Sequence, residues 1–225
     1  MKSLLNLFLL LLIVSCSPSR IIEPLAVGER SLQFSTGGNF IKGANSFLHP
    51  APSVSVSILK GLDTNVSTYS GIHISSFLYD YVHVELGALY GLRPYTKSQA
   101  LAPGISLSFG FQLGTNIDSE LRAWPETCLN LYYKPFRDES LVYIGIANYF
   151  EVLNRVPEEK REERHWLASP FVGVEWELQK AQSTFKVEYR PINYRINEDF
   201  QTFSSFYYPG KLKANALFIG LTKNF

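Results

Sequence analysis

From Gly28 onward apolar and polar residues alternate at period two, and helical spacing is almost absent. Ile105, Leu107, Phe109, Phe111 and Leu113 share one face, with Ser106, Ser108, Gly110 and Gln112 on the other, because successive side chains of a strand point to opposite sides. Val54, Val56 and Ile58 alternate with serines; Val82, Val84, Leu86 and Ala88 alternate with His83, Glu85 and Gly87. The same rhythm runs through Leu129–Tyr133, Val172–Leu178 and Phe185–Tyr189. Strands are expected at about 28–36, 52–60, 65–77, 81–91, 103–114, 126–134, 140–150, 168–178, 183–192 and 213–225. One such segment fits a soluble sandwich equally well. A series of them, each about ten residues long and set off by turn residues, is the pattern of membrane-crossing strands. The expected fold is therefore all-β: a closed antiparallel up-and-down transmembrane β-barrel of about ten strands, with eight or twelve also compatible with the pattern.

The connections orient this barrel. Gly61–Thr64 and Gln179–Gln182 read as tight turns, and the longest connections are 37–51, 151–167 and 193–212. If the first strand starts in the periplasm, those three face outward, where barrel loops are longer. The connection at 92–102 is longer than a periplasmic turn should be.

The two ends are of a different kind. Lys2 precedes an apolar run from Leu4 to Val14 broken only by Asn6. That run is too short to span a bilayer as a helix and has the length of a signal-peptide core. Ile13-Val14-Ser15-Cys16 resembles the lipobox of bacterial lipoproteins. The resemblance implies cleavage before Cys16 and acylation of its thiol; the other reading is an ordinary leader cut near Ser15–Ser17. The expected organisation is a leader at 1–15, a lipidated tether at 16–27 and the barrel at 28–225. At the other end, Leu217, Ile219, Leu221 and Phe225 resemble the terminal strand of bacterial outer-membrane β-barrels. That resemblance implies recognition by the barrel assembly machinery. Lys223 departs from the apolar pattern, and near the headgroups its long side chain can snorkel.

Composition narrows the function classes. The formal charge is +1 over 225 residues, which argues against nucleic acid as a partner. The two cysteines, Cys16 and Cys128, are far apart and do not suggest a disulfide framework; Cys128 is expected as a small packed residue. The 16 Phe, 13 Tyr and 3 Trp suit strands and membrane interfaces. The expected partners are outer-membrane lipids, with the protein a monomer carrying no cofactor and no metal.

Placing the apolar faces against lipid turns His83, Glu85, Lys134, Glu175, Glu177, Lys186, Glu188 and Arg190 inward. Charges of both signs on neighbouring strands pair across the ladder, so the expected lumen is filled, the rival being a narrow polar conduit. His73-Ile74-Ser75 with Glu85 resembles, in its H-x-S pattern, a family of outer-membrane lipid A deacylases. In that family a base stands beside a nucleophilic hydroxyl, and the resemblance would make His73, Ser75 and Glu85 a catalytic set. The residues that follow, Ser76-Phe77, depart from the family's Asn and Gly, and the motif lies earlier in the chain. The bland reading, polar side chains facing a filled lumen, is preferred. Residues 155–164 form a mixed cluster of four bases and four acids, and the 193–212 loop is aromatic and expected to cap the mouth. The function expected from these features is a structural or surface-interaction barrel, with a lipid-modifying enzyme or a transport barrel as the alternatives.

Overall fold

The computed structural model describes residues 21–42, 48–95, 102–116, 121–135, 140–150, 153–155, 166–196 and 212–225. Its strands are β1 (Arg30–Lys42), β2 (Leu48–Asp63), β3 (Val66–His73), β4 (Tyr81–Arg93), β5 (Gly104–Asn116), β6 (Leu121–Tyr133), β7 (Ser140–Phe150), β8 (Leu153–Arg155), β9 (Trp166–Leu178), β10 (Ser183–Ile196) and β11 (Leu212–Asn224). Every strand pair is antiparallel. Apart from β8, each strand pairs with the next along the chain, β7 pairing with β9, and β1 pairs with β11, so the sheet closes on itself. The short β8 extends the line of β7 along β6, displaced by one residue in register. The wall is thus a ring of ten strands.

The register shift beside β6 has a visible cause. Pro125 lies between Ala123, which pairs with Leu153 of β8, and Glu126, which pairs with Tyr149 of β7. Proline cannot donate to a ladder and is tolerated in a sheet at such irregularities. The expected strand at 126–134 therefore begins earlier, at Leu121, because the chain runs through the proline to pair with β5 on its other edge. The expected strand at 65–77 stops at His73, where a 3-10 turn, Ile74–Tyr79, takes over and closes on Asp80 in the left-handed region. The first connection is shorter than expected, because β1 and β2 run on to Lys42 and from Leu48. The acidic and basic cluster beyond Arg155, and most of the aromatic 193–212 loop, lie outside the described residues.

Alternation sets what each face of the wall meets. Phe34, Ile58, Leu86, Phe109, Leu129, Ile144, Val172, Trp176, Leu217 and Leu221 are exposed on the outside. Ser31, Gln33, Ser55, Ser57, Glu85, Ser106, Asn130, Lys186, Glu188 and Arg190 are buried inside. This is the inverse of a soluble protein, and water would leave the outer face unsatisfied.

Inside, large rings lie over glycines on the adjacent strand. Tyr143 pairs directly with Gly173, and Phe171 with Gly145. Tyr69 lies over Gly87 and Gly110. A Cβ at any of these glycines would meet the ring. Glycine thus lets each aromatic lie flat on the wall, a pairing that also shields the glycine backbone.

Candidate functional site

The interior has two charged groups and, at one rim, a segment that lines the mouth. The first group runs across β2 to β6. Ser57, Gly71, Glu85, Gln112 and Trp124 follow one another in cross-strand register. Because Gly71 has no side chain, Glu85 reaches past it, and its Oε1 accepts a bond from Ser57 Oγ at 3.1 Å. Glu85 Oε2 lies 3.5 Å from His73 Nε2. The His73 ring stacks on His83 with centroids 3.8 Å apart and planes 6° from parallel. His83 Nε2 is 3.0 Å from Gln112 Oε1, and Gln112 Nε2 donates to Glu126 Oε2 at 2.7 Å. Cys128 Sγ donates to the other Glu126 oxygen at 3.1 Å. The outcome is a chain of polar contacts from Ser57 to Cys128, all facing the lumen.

The second group lies on β7, β9 and β10. Lys186 Nζ sits 2.7 Å from Glu175 Oε1, directly opposite it in register. Arg190 Nε bonds Glu188 Oε1 at 2.5 Å, and Tyr143 Oη donates to Glu188 Oε2 at 3.0 Å. The Arg190 guanidinium lies 5.0 Å from the Phe171 ring centre and 5.4 Å from that of Phe218. Glu188 is 1% exposed and Arg190 4%. At that depth an ion is tolerated only when its hydrogen bonds are made.

At the end where β1 begins and β11 ends, residues 21–29 line the mouth. They run along the inside of the rim from β6 to β1, meeting the intervening strands in turn. Ser106 Oγ of β5 donates to the Ile22 carbonyl at 2.6 Å, and Glu23 pairs with Lys134, just past β6, at 2.6 Å. Pro24 abuts Gly91 of β4, and Leu25 N donates to Ser67 Oγ of β3 at 2.8 Å. Gly28 N bonds the Gly61 carbonyl of β2, and Gly61 N bonds the Glu29 carbonyl, both at 3.0 Å. A Cβ at Gly61 would strike the Ala26 carbonyl, and one at Gly91 would come within 2.8 Å of Pro24 Cγ. Ile22, 1% exposed, packs with Cys128, Tyr132, Leu141, Tyr143, Ala147 and Phe171. The stretch expected as part of a tether is therefore seated in a cradle from Ile21 onward.

The expected site residues fall as follows. Glu85, Lys186, Glu188 and Arg190 are buried in the lumen, and Glu175 is half-buried beside Lys186. Glu177 is exposed at the end of β9, and Lys134 lies beyond β6 at the rim; neither joins the interior groups, because both sit at strand ends, where the alternation no longer encloses them. His73 and Glu85 are brought together, but Ser75 is not with them. The strand expected to carry Ser75 has ended, and in the 3-10 turn its Oγ accepts from the Val54 amide at 3.2 Å. Leu217 and Leu221 face outward and Phe225 is exposed, while Ile219 is half-buried. Cys16 lies outside the described residues. Sequence reasoning did not pick out Glu126, Gln112, Tyr143 or the rim segment, and only the cross-strand register reveals them. Among the described residues no group of three or more His, Cys, Asp or Glu side chains is placed to hold a metal.

A closed ring of antiparallel strands with an apolar outside and a polar inside is the fold of bacterial outer-membrane β-barrels. Among solved structures it is similar to an outer-membrane channel of Pseudomonas putida F1, with a TM-score of 0.53 and 10% identity over 94% of this chain and 100% of that one. It also matches the NanC porin, with a TM-score of 0.45 and 11% identity over 89% of this chain and 100% of that one. OmpT of Vibrio cholerae matches with a TM-score of 0.33 and 9% identity over 91% and 100%. At these identities the likeness is one of fold. No protein family and no curated protein matches the sequence.

Proposed function

We propose that this protein is a closed, non-conducting barrel of the bacterial outer membrane, acting as a structural or surface-interaction element rather than as an enzyme. The observation that carries this reading is the burial of the inward face from Ser31 and Ser67 near one rim to Glu188 and Arg190 deeper in. A ten-strand ring is only slightly wider than the size at which side chains fill the interior. Here, ion pairs and the rim segment add to that filling. In planar bilayers the purified protein gives no steady single-channel current; large steady steps would overturn the reading and favour a transport role like the one named for the Pseudomonas neighbour.

The deacylase alternative needs a hydroxyl within reach of the imidazole, and Ser75 is engaged with Val54 instead. Ser75→Ala leaves the mass of the host's lipid A unchanged; a changed mass would restore that alternative. Export by residues 1–15 and acylation of Cys16 belong to the same proposal, as does assembly through Leu217, Ile219, Leu221 and Phe225. Two or more acyl chains give stable anchoring, each buried methylene contributing about 0.8 kcal/mol. Radiolabelled palmitate enters the wild type and not Cys16→Ser; label persisting in that variant would refute the anchor.

A further inference from the structure

Three cations stand together on the outer face of the wall, at the end where β1 begins and β11 ends. Arg30 of β1 pairs directly with Lys60 of β2. Lys223 of β11 pairs with Leu32, the next outward residue of β1. It therefore sits diagonally from Arg30, within reach of a long side chain. All three cations are exposed. They share the outward face, because Leu32, Ile58 and Leu221, two places along each strand, are exposed outward.

Like charges set directly across a ladder repel. No carboxylate of the described residues lies within ion-pair distance of Arg30, Lys60 or Lys223. The acids nearest along the chain are engaged elsewhere: Glu29 accepts from the Ala26 amide at 3.0 Å, and Asp63 from the Thr64 amide at 2.6 Å. Lys223 Nζ donates to the Ala181 carbonyl, a neutral partner that leaves its charge unbalanced. Toward the middle of the wall the outer face turns apolar at once, through Leu32, Ile58 and Leu221 to Phe34. The connections at the cationic end, after Asp63 and after Leu178, are short, as they are on the periplasmic side of such barrels.

We propose that Arg30, Lys60 and Lys223 form a binding site for an anionic phospholipid of the periplasmic leaflet, its phosphate lying between Arg30 and Lys60 and its acyl chains lying along Leu32, Ile58 and Leu221. Cations beneath an apolar wall match the two halves of such a lipid, which a soluble anion does not. A zwitterionic headgroup brings a cation of its own to the same place, so charge complementarity favours the anionic one. The site rests on the membrane placement proposed above, and the test separates the two.

The full-length protein is reconstituted into phosphatidylcholine vesicles holding a minor share of phosphatidylglycerol with a diazirine on its acyl chain. A parallel sample holds a phosphatidylcholine with the same labelled chain. Both are irradiated and mapped by peptide mass spectrometry. The ratio of adducts at Leu32 and Ile58 to those at Ile144 is expected to be about tenfold higher for phosphatidylglycerol, the order expected of two cations at an anionic headgroup. Equal ratios for the two lipids would overturn the site. No adducts anywhere on the wall with either lipid would overturn the membrane placement and the site with it. Arg30→Gln with Lys60→Gln is expected to bring the phosphatidylglycerol ratio down to the phosphatidylcholine value, and an unchanged ratio would also overturn the site. Arg93→Gln removes a cation from the same end of β4, where it bonds the Pro103 carbonyl. It is expected to leave the ratio unchanged; an equal loss would mean that overall charge, not this site, attracts the lipid.

Discussion

At the scale of single residues, the inward glycines govern how the lumen is filled. Gly173 and Gly145 face Tyr143 and Phe171 across one strand pair, and each ring occupies the place of a missing side chain. Gly173→Ala puts a methyl group into the Tyr143 ring, and Tyr143 is tied by its hydroxyl to Glu188, so it cannot swing away freely. Overpacking of this kind costs about 1–3 kcal/mol, and we expect a loss of that size in denaturant unfolding from detergent. Cys128 is 1% exposed. In a Cys16→Ser background a maleimide is expected to leave the folded protein unmodified and to label it once unfolded, as measured by mass; rapid labelling of the native form would show that the lumen is open to reagents.

Among the elements, the rim segment matters most. Ile21–Glu29 is held by the backbone of β2, by serines of β3 and β5, and by the apolar cluster under Ile22. Ile22→Ala removes the buried anchor and is expected to cost about 2–4 kcal/mol in the same unfolding assay. Lys134→Ala removes only a partly exposed ion pair and is expected to cost less than about 1 kcal/mol. An equal cost for both would mean that charge, not burial, seats the segment. This element was illegible in the sequence. Pro24 and Gly28 suggest a linker, and nothing in the order of residues says that Gly61 and Gly91 leave space for it. The strands were legible because alternation is local: every expected segment overlaps a strand, although β1 runs on past 36, β6 begins before 126 and the segment 65–77 ran past the end of its strand. The missed boundaries have local causes as well. Pro125 hides the start of β6, and the 3-10 turn after His73 has the same apolar residues that would continue a strand. Within the candidate site, His73, His83, Glu85 and Glu188 could be placed facing inward from sequence, but which of them meet could not. That depends on register between strands, as with Glu85 reaching Ser57 across Gly71.

For the whole molecule, the decisive property is the inverted surface. Ile144 is 54% exposed in the middle of β7, in a row with Leu131 and Val172. In lipid, Ile144→Arg is expected to cost about 2–4 kcal/mol, the penalty for a cation at the midplane of a barrel wall. In a water-soluble protein the same exposed substitution would cost almost nothing. Folding yields measured in vesicles and in detergent, for this variant and for the wild type, distinguish the two.

The path of the rim segment also bears on how the ring is completed. Its polar partners run from Gly61 to Lys134, but the cluster that buries Ile22 draws also on Leu141, Tyr143 and Ala147 of β7 and Phe171 of β9, so the segment is fully seated only once β9 is in place. The pairing that completes the circle joins partners such as Ser31 and Asn224, 193 residues apart, and contacts so distant along a chain form slowly. A nascent chain halted after Lys134 would hold the polar partners of its own leading segment but not the side chains of β7 and β9 that bury Ile22, so the open arc would carry that segment tethered and not yet anchored.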